Sequence, residues 1–196
     1  MAVLSRPARA RPAIRWRGLS RCRLWVGLLG LGLCGAAAAA TPEYQLKAVF
    51  LFRFAEFVEW PAQAFADAQA PLTICVLGED PFGDYLDDTV RGEKVNDRPL
   101  LIRRLRELDA GSGCHILFIS SSEHEQMKRE LAALKGHSVL TVSDNDGFGR
   151  AGGMIGLALA DNKIRLQINP EAARAADLKL SSKLLGSATI VGSLGE

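Results

Sequence analysis

Residues 147–152, Gly147-Phe148-Gly149-Arg150-Ala151-Gly152, spell the spacing GxGxxG. That spacing holds a pyrophosphate only when a helix follows, so that its first amides and its dipole meet the charge. Here Gly153-Met154-Ile155 opens an apolar, strand-like run, so the segment reads as a glycine loop. Asp144-Asn145-Asp146-Gly147 resembles the start of a calcium loop but lacks the later ligands and the closing glutamate, and reads as a turn. His115, His124 and His137 show neither His-x₃-His nor HExxH spacing, which leaves no metal or metalloprotease pattern. Ser120-Ser121-Ser122 lacks the GxSxG elbow of a nucleophile, and Ser122 before Glu123 reads as a helix cap. Glu79-Asp80 and Asp87-Asp88 sit in polar surroundings with nothing to split their pKa values into acid and base. No catalytic set and no cofactor site emerges, and the chain reads as a binding or regulatory protein rather than an enzyme.

The place of work is written in the first forty residues. They hold seven arginines and no acid, then an apolar run from Leu24 to Cys34, then the alanine tract Ala36–Ala40. A basic region, an apolar core and small residues in that order make a secretory signal peptide over residues 1–40, with cleavage near Ala40 and Thr41 as the new N-terminus. The competing reading, an uncleaved anchor, suffers from an apolar core well short of the ~20 residues a spanning helix needs. All 22 acids lie after position 40 with only 17 basic residues, a net charge of −5 for the exported part, although the whole chain carries +2. That balance argues against nucleic acid as a partner.

Export also changes the cysteine count. Cys22 and Cys34 leave with the signal, and Cys75 and Cys114 remain. In an oxidising compartment a lone pair reads as one disulfide, with two separately buried thiols as the alternative. Neither has the CxxC spacing of a zinc site, and two cysteines alone cannot complete one.

The elements follow from periodicity. Thr41-Pro42-Glu43 starts a helix that should run from Tyr44 to Glu59, apolar on most of its circumference and ended by Trp60-Pro61. Leu72–Leu77, Pro99–Arg104, His115–Ser120 and Ser138–Ser143 read as strands, with helices around Phe82–Val90 and Glu123–Leu134. Short apolar strands alternating with helices imply a parallel sheet covered on both faces. Met154–Ala160 and Lys163–Asn169 flank Asp161-Asn162 as an antiparallel hairpin. Helices should then start at Asn169-Pro170-Glu171 and at Ser181-Ser182, the last running to about Val191. Residues 41–196 thus form one α/β domain, a mostly parallel sheet with an antiparallel C-terminal hairpin.

Several long stretches together resemble the YfiR family: EYQLKAVFLFRFAEFVEWP (43–61), ICVLGEDPFGDYLD (74–87), CHILFIS (114–120), LTVSD (140–144), GGMIGLALADNKIRLQINPEAA (152–173) and LKLSSKLL (178–185). The resemblance implies a dimeric, Rossmann-like, non-enzymatic protein of the periplasm. It implies binding to the periplasmic sensor region of an inner-membrane diguanylate cyclase, which is held inactive and so limits cyclic di-GMP and biofilm formation. It further implies an outer-membrane-associated partner that sequesters the repressor. Cys75 and Cys114 match one disulfide of the founding member; its second lies near the stretch that here reads Asp144–Gly153, where this chain has no cysteine. Phe57 and Trp60, at the exit of the first helix, are the candidate aromatic anchor for the partner, with burial in the core as the competing reading. A different class of function, a small-ligand sensor subunit of another membrane signalling protein, would place its ligand at the strand ends near Gly78–Phe82.

Overall fold

The computed structural model describes residues 41–109 and 112–192; the expected signal segment, residues 1–40, lies outside them. Helix α1 (Pro42–Phe57) begins as its sequence dictates, with Thr41 extended and Pro42 at the first helical position. It stops two residues earlier than expected. Val58 and Glu59 are extended as β1 (Val58–Glu59), which pairs antiparallel with β9 (Lys179–Leu180). The cross-chain pairing, together with the bias against helix before Pro61, outweighs the apolar pattern that continues through Val58.

The main sheet is built on β2 (Leu72–Leu77), buried at all six positions and paired in parallel with β4 (Arg98–Leu105) on one side and β5 (Ile116–Ile119) on the other. Beyond β5 lie β6 (Leu140–Ser143) and β7 (Ile155–Ala160), both parallel. The chain thus steps from β2 to one side, returns across it, and continues to the other. A right-handed crossover rule then requires the two crossover helices to lie on opposite faces. They do: α2 (Asp84–Val90) packs Leu86 and Val90 into the face that α1 covers, whereas α3 (Met127–Ala133) packs Met127 and Leu131 on the reverse. Along β2, Ile74 and Val76 point to the α1 side and Cys75 and Leu77 to the α3 side, so the continuous apolar run of a doubly covered strand is explained.

The expected hairpin is β7 with β8 (Lys163–Ile168), joined by Asp161 and Asn162 at φ +51° and +57°. Positive φ at both central residues is the turn that matches strand twist, and aspartate and asparagine tolerate it. Asn169 caps α4 (Pro170–Ala175), its side-chain oxygen accepting from the Ala172 N–H at 3.1 Å. Ser181 caps α5 (Ser182–Gly186) in the same way, accepting from the Leu184 N–H at 3.2 Å. This last helix is shorter than expected. Thr189 and Ile190 form β10 (Thr189–Ile190), parallel to β8, because β-branched residues beyond Gly186 fit the open edge of β8 better than a helix. On the opposite edge β3 (Lys94–Val95) turns back onto β4 through Asn96 and Asp97, both at positive φ, a hairpin that the Asn-Asp pair signals and the strand reading passed over. The helix expected over Glu123–Leu134 is only α3, preceded by the 3₁₀ turn Ser121–Glu123.

Candidate binding surface

In an open α/β sheet, ligands bind in the crevice beyond the strand C-termini where the chain reverses direction, here between β2 and β5. Gly78–Phe82 lies there, as the ligand-sensor reading requires, and the loop after β5 packs closely against Gly78. Gly78 has φ +86°, and a Cβ on it would lie 2.3 Å from Ser122 Oγ and 2.7 Å from Glu123 Oε1. The Glu79 N–H donates to Ser122 Oγ at 3.0 Å, so Ser122 joins two loops instead of capping a helix. Glu130, 6% exposed on α3, lies beneath this contact with Oε2 buried and unpartnered. Burial, then the charge of Glu123 and a hydrogen bond with it, push the Glu130 carboxyl up to about 7, with Arg129 opposing. The folded state therefore holds a proton that the unfolded chain releases, so stability falls as pH rises from about 4.5 through about 7. Glu130→Gln keeps a neutral side chain there, and denaturant titrations from pH 4 to 8 should show that part of the slope removed and the protein stabilised at pH 8.

Further along the same edge, Asp144 follows β6 and receives the Tyr44 hydroxyl at 2.8 Å and Lys47 Nζ at 2.6 Å on Oδ2. Lys47 is 2% exposed, also pairs with Glu43, and lies 4.2 Å from the centre of the Tyr44 ring. Burial and the Asp144 bond raise the Tyr44 hydroxyl far above its ordinary value, so it donates as a neutral phenol. Asn145 bonds Ser120 O and Ser143 Oγ through Nδ2, and its Oδ1 lies 3.1 Å from His124 Nδ1. The start of the calcium-like segment thus joins loops to α1. Among the described residues no three histidine, cysteine, aspartate or glutamate side chains are grouped to hold a metal ion.

The disulfide is present. Cys75 on β2 bonds Cys114, just before β5, with Cα atoms 5.8 Å apart. The side-by-side pairing of β2 and β5 brings them together. The stretch Asp144–Gly153, which has no cysteine, is held by packing: Phe148 is buried beneath Gly153, where a Cβ would lie 2.3 Å from its ring, and Asn169 Nδ2 donates to Gly149 O at 3.1 Å. Those contacts account for Gly153 and for the asparagine that follows β8, and Gly149 is held free of a side chain by Val191, whose Cγ2 would lie 2.6 Å from a Cβ there.

At the N-terminal edge of the sheet a stack of side chains closes the domain. The Arg98 guanidinium lies 3.7 Å from the Phe65 ring centre, and Phe65 stacks on buried His115 at 4.3 Å. His115 Nδ1 accepts from the Thr73 N–H, which leaves Nε2 to donate to Ala64 O, both at 3.1 Å. Burial lowers its pKa and the neutral ring satisfies both bonds. Trp60 is half-buried and donates its indole N–H to His115 O at 3.1 Å. Phe57 is half-buried as well, packed against the main core with Lys183 Nζ 5.3 Å above its ring.

The outward side of α1 is where sequence reasoning missed the pattern. Leu46, Val49, Phe50, Arg53 and Phe57 fall at helical spacings of three and four on one stripe. Leu46 is 46% exposed, while Val49, Phe50 and Phe57 are half-buried. Arg53 bonds Glu56 at 2.6 Å beside them. The all-round apolar character of α1 indicated a helix buried on most sides; the structure buries Ala48, Leu51, Phe54 and Ala55 and leaves this stripe partly open.

A family model described as YfiR/HmsC-like matches residues 44–189. The chain belongs to the YfiR/HmsC-like family. The family is a regulatory, periplasmic one, and membership in it suggests a regulator of diguanylate cyclase signalling. The match begins at α1 and ends at β10, so the stripe on α1, the disulfide and the hairpin all fall within the YfiR/HmsC-like domain. Among the described residues no helix is long and apolar enough to cross a membrane.

Proposed function

We infer that this YfiR/HmsC-like protein is exported by its first forty residues and represses an inner-membrane diguanylate cyclase by binding the cyclase's periplasmic sensor region. Cyclic di-GMP synthesis and biofilm formation are thereby limited, and an outer-membrane-associated protein relieves the repression by sequestering the repressor. The active form is a homodimer. The observation that carries this reading is the family match over nearly the whole domain.

The α1 stripe supports a protein contact: a partly open apolar stripe beside a polar pair resembles the centre and rim of an interface. Phe57 is the anchor, with Leu46 and Phe50 beside it; Trp60 contributes a ring edge, its N–H being committed to His115 O. Truncating such an anchor costs about 2 kcal/mol or more in binding. Moving a cyclase from 99% active to 99% inactive requires about 5.5 kcal/mol of differential binding. Losing about 2 of it leaves roughly a quarter of the cyclase active. Leu46→Glu with Phe57→Ala should therefore raise cellular cyclic di-GMP several-fold while the purified domain, though less stable for the lost packing of Phe57, remains folded by circular dichroism at growth temperature. Unchanged cyclic di-GMP in a stably folded variant would remove α1 from the contact.

A further inference from the structure

Between α3 and α4, at the N-terminal ends of β6 and β7, lies a groove of about 830 Å³. Its volume is within the range of small-molecule sites. Lys128 on α3 and Lys135 in the turn that follows it line the groove, and Arg150 of the glycine loop lines the same hollow. None of the three forms an ion pair among the described residues. Three cations without an ion-pair partner around one concavity repel each other, and the part of the chain after position 40 has a net charge of −5. Their clustering is thus a local reversal of the overall charge.

The lining between them is apolar, from Leu131, Leu134 and Met154 with the alanines of α4. Polar groups in the wall are already satisfied. Thr141 Oγ1 accepts from the Met154 N–H at 3.1 Å, and Asn169 bonds Gly149 O and the Ala172 N–H. A ligand finds positive charge and apolar surface here, with few free hydrogen-bonding groups. Glu171 is the one acid on the lining. An adjoining hollow is lined by the same Lys128 and Arg150 together with Glu125 and Asp146, so Lys135 is the cation of the three that those acids do not share.

We propose that this groove binds an amphipathic anion, a carboxylate or phosphate head held by Lys128, Lys135 and Arg150 with its apolar chain laid along Leu131, Leu134 and Met154. The site is independent of the cyclase contact and separate from the crevice at Gly78. The test titrates the isotope-labelled full mature protein with decyl phosphate below its micelle concentration, and separately with inorganic phosphate and with decanol. Decyl phosphate should shift the amides of residues 128–136, 149–154 and 169–176, binding at least tenfold more tightly than either of the other two. Lys128→Ala with Arg150→Ala, both exposed positions, should weaken it at least tenfold and leave the remaining spectrum intact; Ala175→Trp, on the exposed side of α4, should block it. Sedimentation with phosphatidylglycerol vesicles but not phosphatidylcholine vesicles, lost in the same variants, identifies the head as a lipid's; saturation by soluble decyl phosphate without vesicle binding identifies a free anion. Equal binding of decanol, full affinity in the charge-deleted variant, or no shift in these segments overturns the proposal.

Discussion

Replacing Lys47 by methionine lowers the unfolding free energy by about 3–5 kcal/mol, the usual cost of leaving one member of a buried ion pair alone. The ammonium is 2% exposed, and its partner Asp144 carries an Oδ1 that is buried without a hydrogen-bond partner. Without Lys47 the Asp144 carboxylate keeps only the Tyr44 hydroxyl. Glu43, whose side chain is 33% exposed, can return to water and adds little to the loss. The pair also ties the start of α1 to the end of β6, so the damage reaches the helix that carries the apolar stripe. Lys47→Met combined with Asp144→Asn should recover a substantial part of the loss, because removing both charges removes the orphan. Urea denaturation of the four proteins of the cycle measures it, and a cost below about 1 kcal/mol for Lys47→Met alone would show that water already reaches the pair.

The second large effect is that of the disulfide. Cys75 and Cys114 are 39 residues apart in sequence, and closing a loop of that size restricts the unfolded chain by about 4 kcal/mol in the chain-entropy model. Cys75→Ala with Cys114→Ala should therefore cost about 2–4 kcal/mol, and dithiothreitol should destabilise the native protein by a similar amount and leave the double variant unaffected. The position of the bridge matters as much as the length of its loop. The connection from β4 to β5 has no helix among its described residues, and the bridge fixes its end against the central strand. Reduction that left the melting temperature unchanged would contradict this account.

How far the sequence leads depends on whether the deciding interaction is local. The strands around β2 and β5 were legible because a doubly covered strand needs an unbroken apolar run, and the β7–β8 hairpin because Asp161-Asn162 fits only one kind of turn. Asn169 and Ser181 signalled their helices by capping chemistry. The end of α1 and the end of α5 were not legible, since Val58–Glu59 and Thr189–Ile190 are strands only by virtue of partners 122 and 22 residues away in the registers Val58↔Leu180 and Ile190↔Ile168. Lys47 carries no sequence signal of burial, because its partner stands 97 residues away. Ser122 read as a cap and is a loop clasp, for the same reason. Of the two aromatic anchors expected, the structure gives Trp60 an internal hydrogen bond and leaves Phe57 half-buried on a partly open stripe that only a helix of known orientation reveals.

Repression is the central claim, and its most direct measurement is cyclic di-GMP in a strain lacking this gene, made with and without the membrane cyclase that carries the matching periplasmic sensor region. The account predicts a rise on deletion that disappears when that cyclase is also removed. Unchanged cyclic di-GMP in the deletion strain, or a rise that persists without the cyclase, would contradict it.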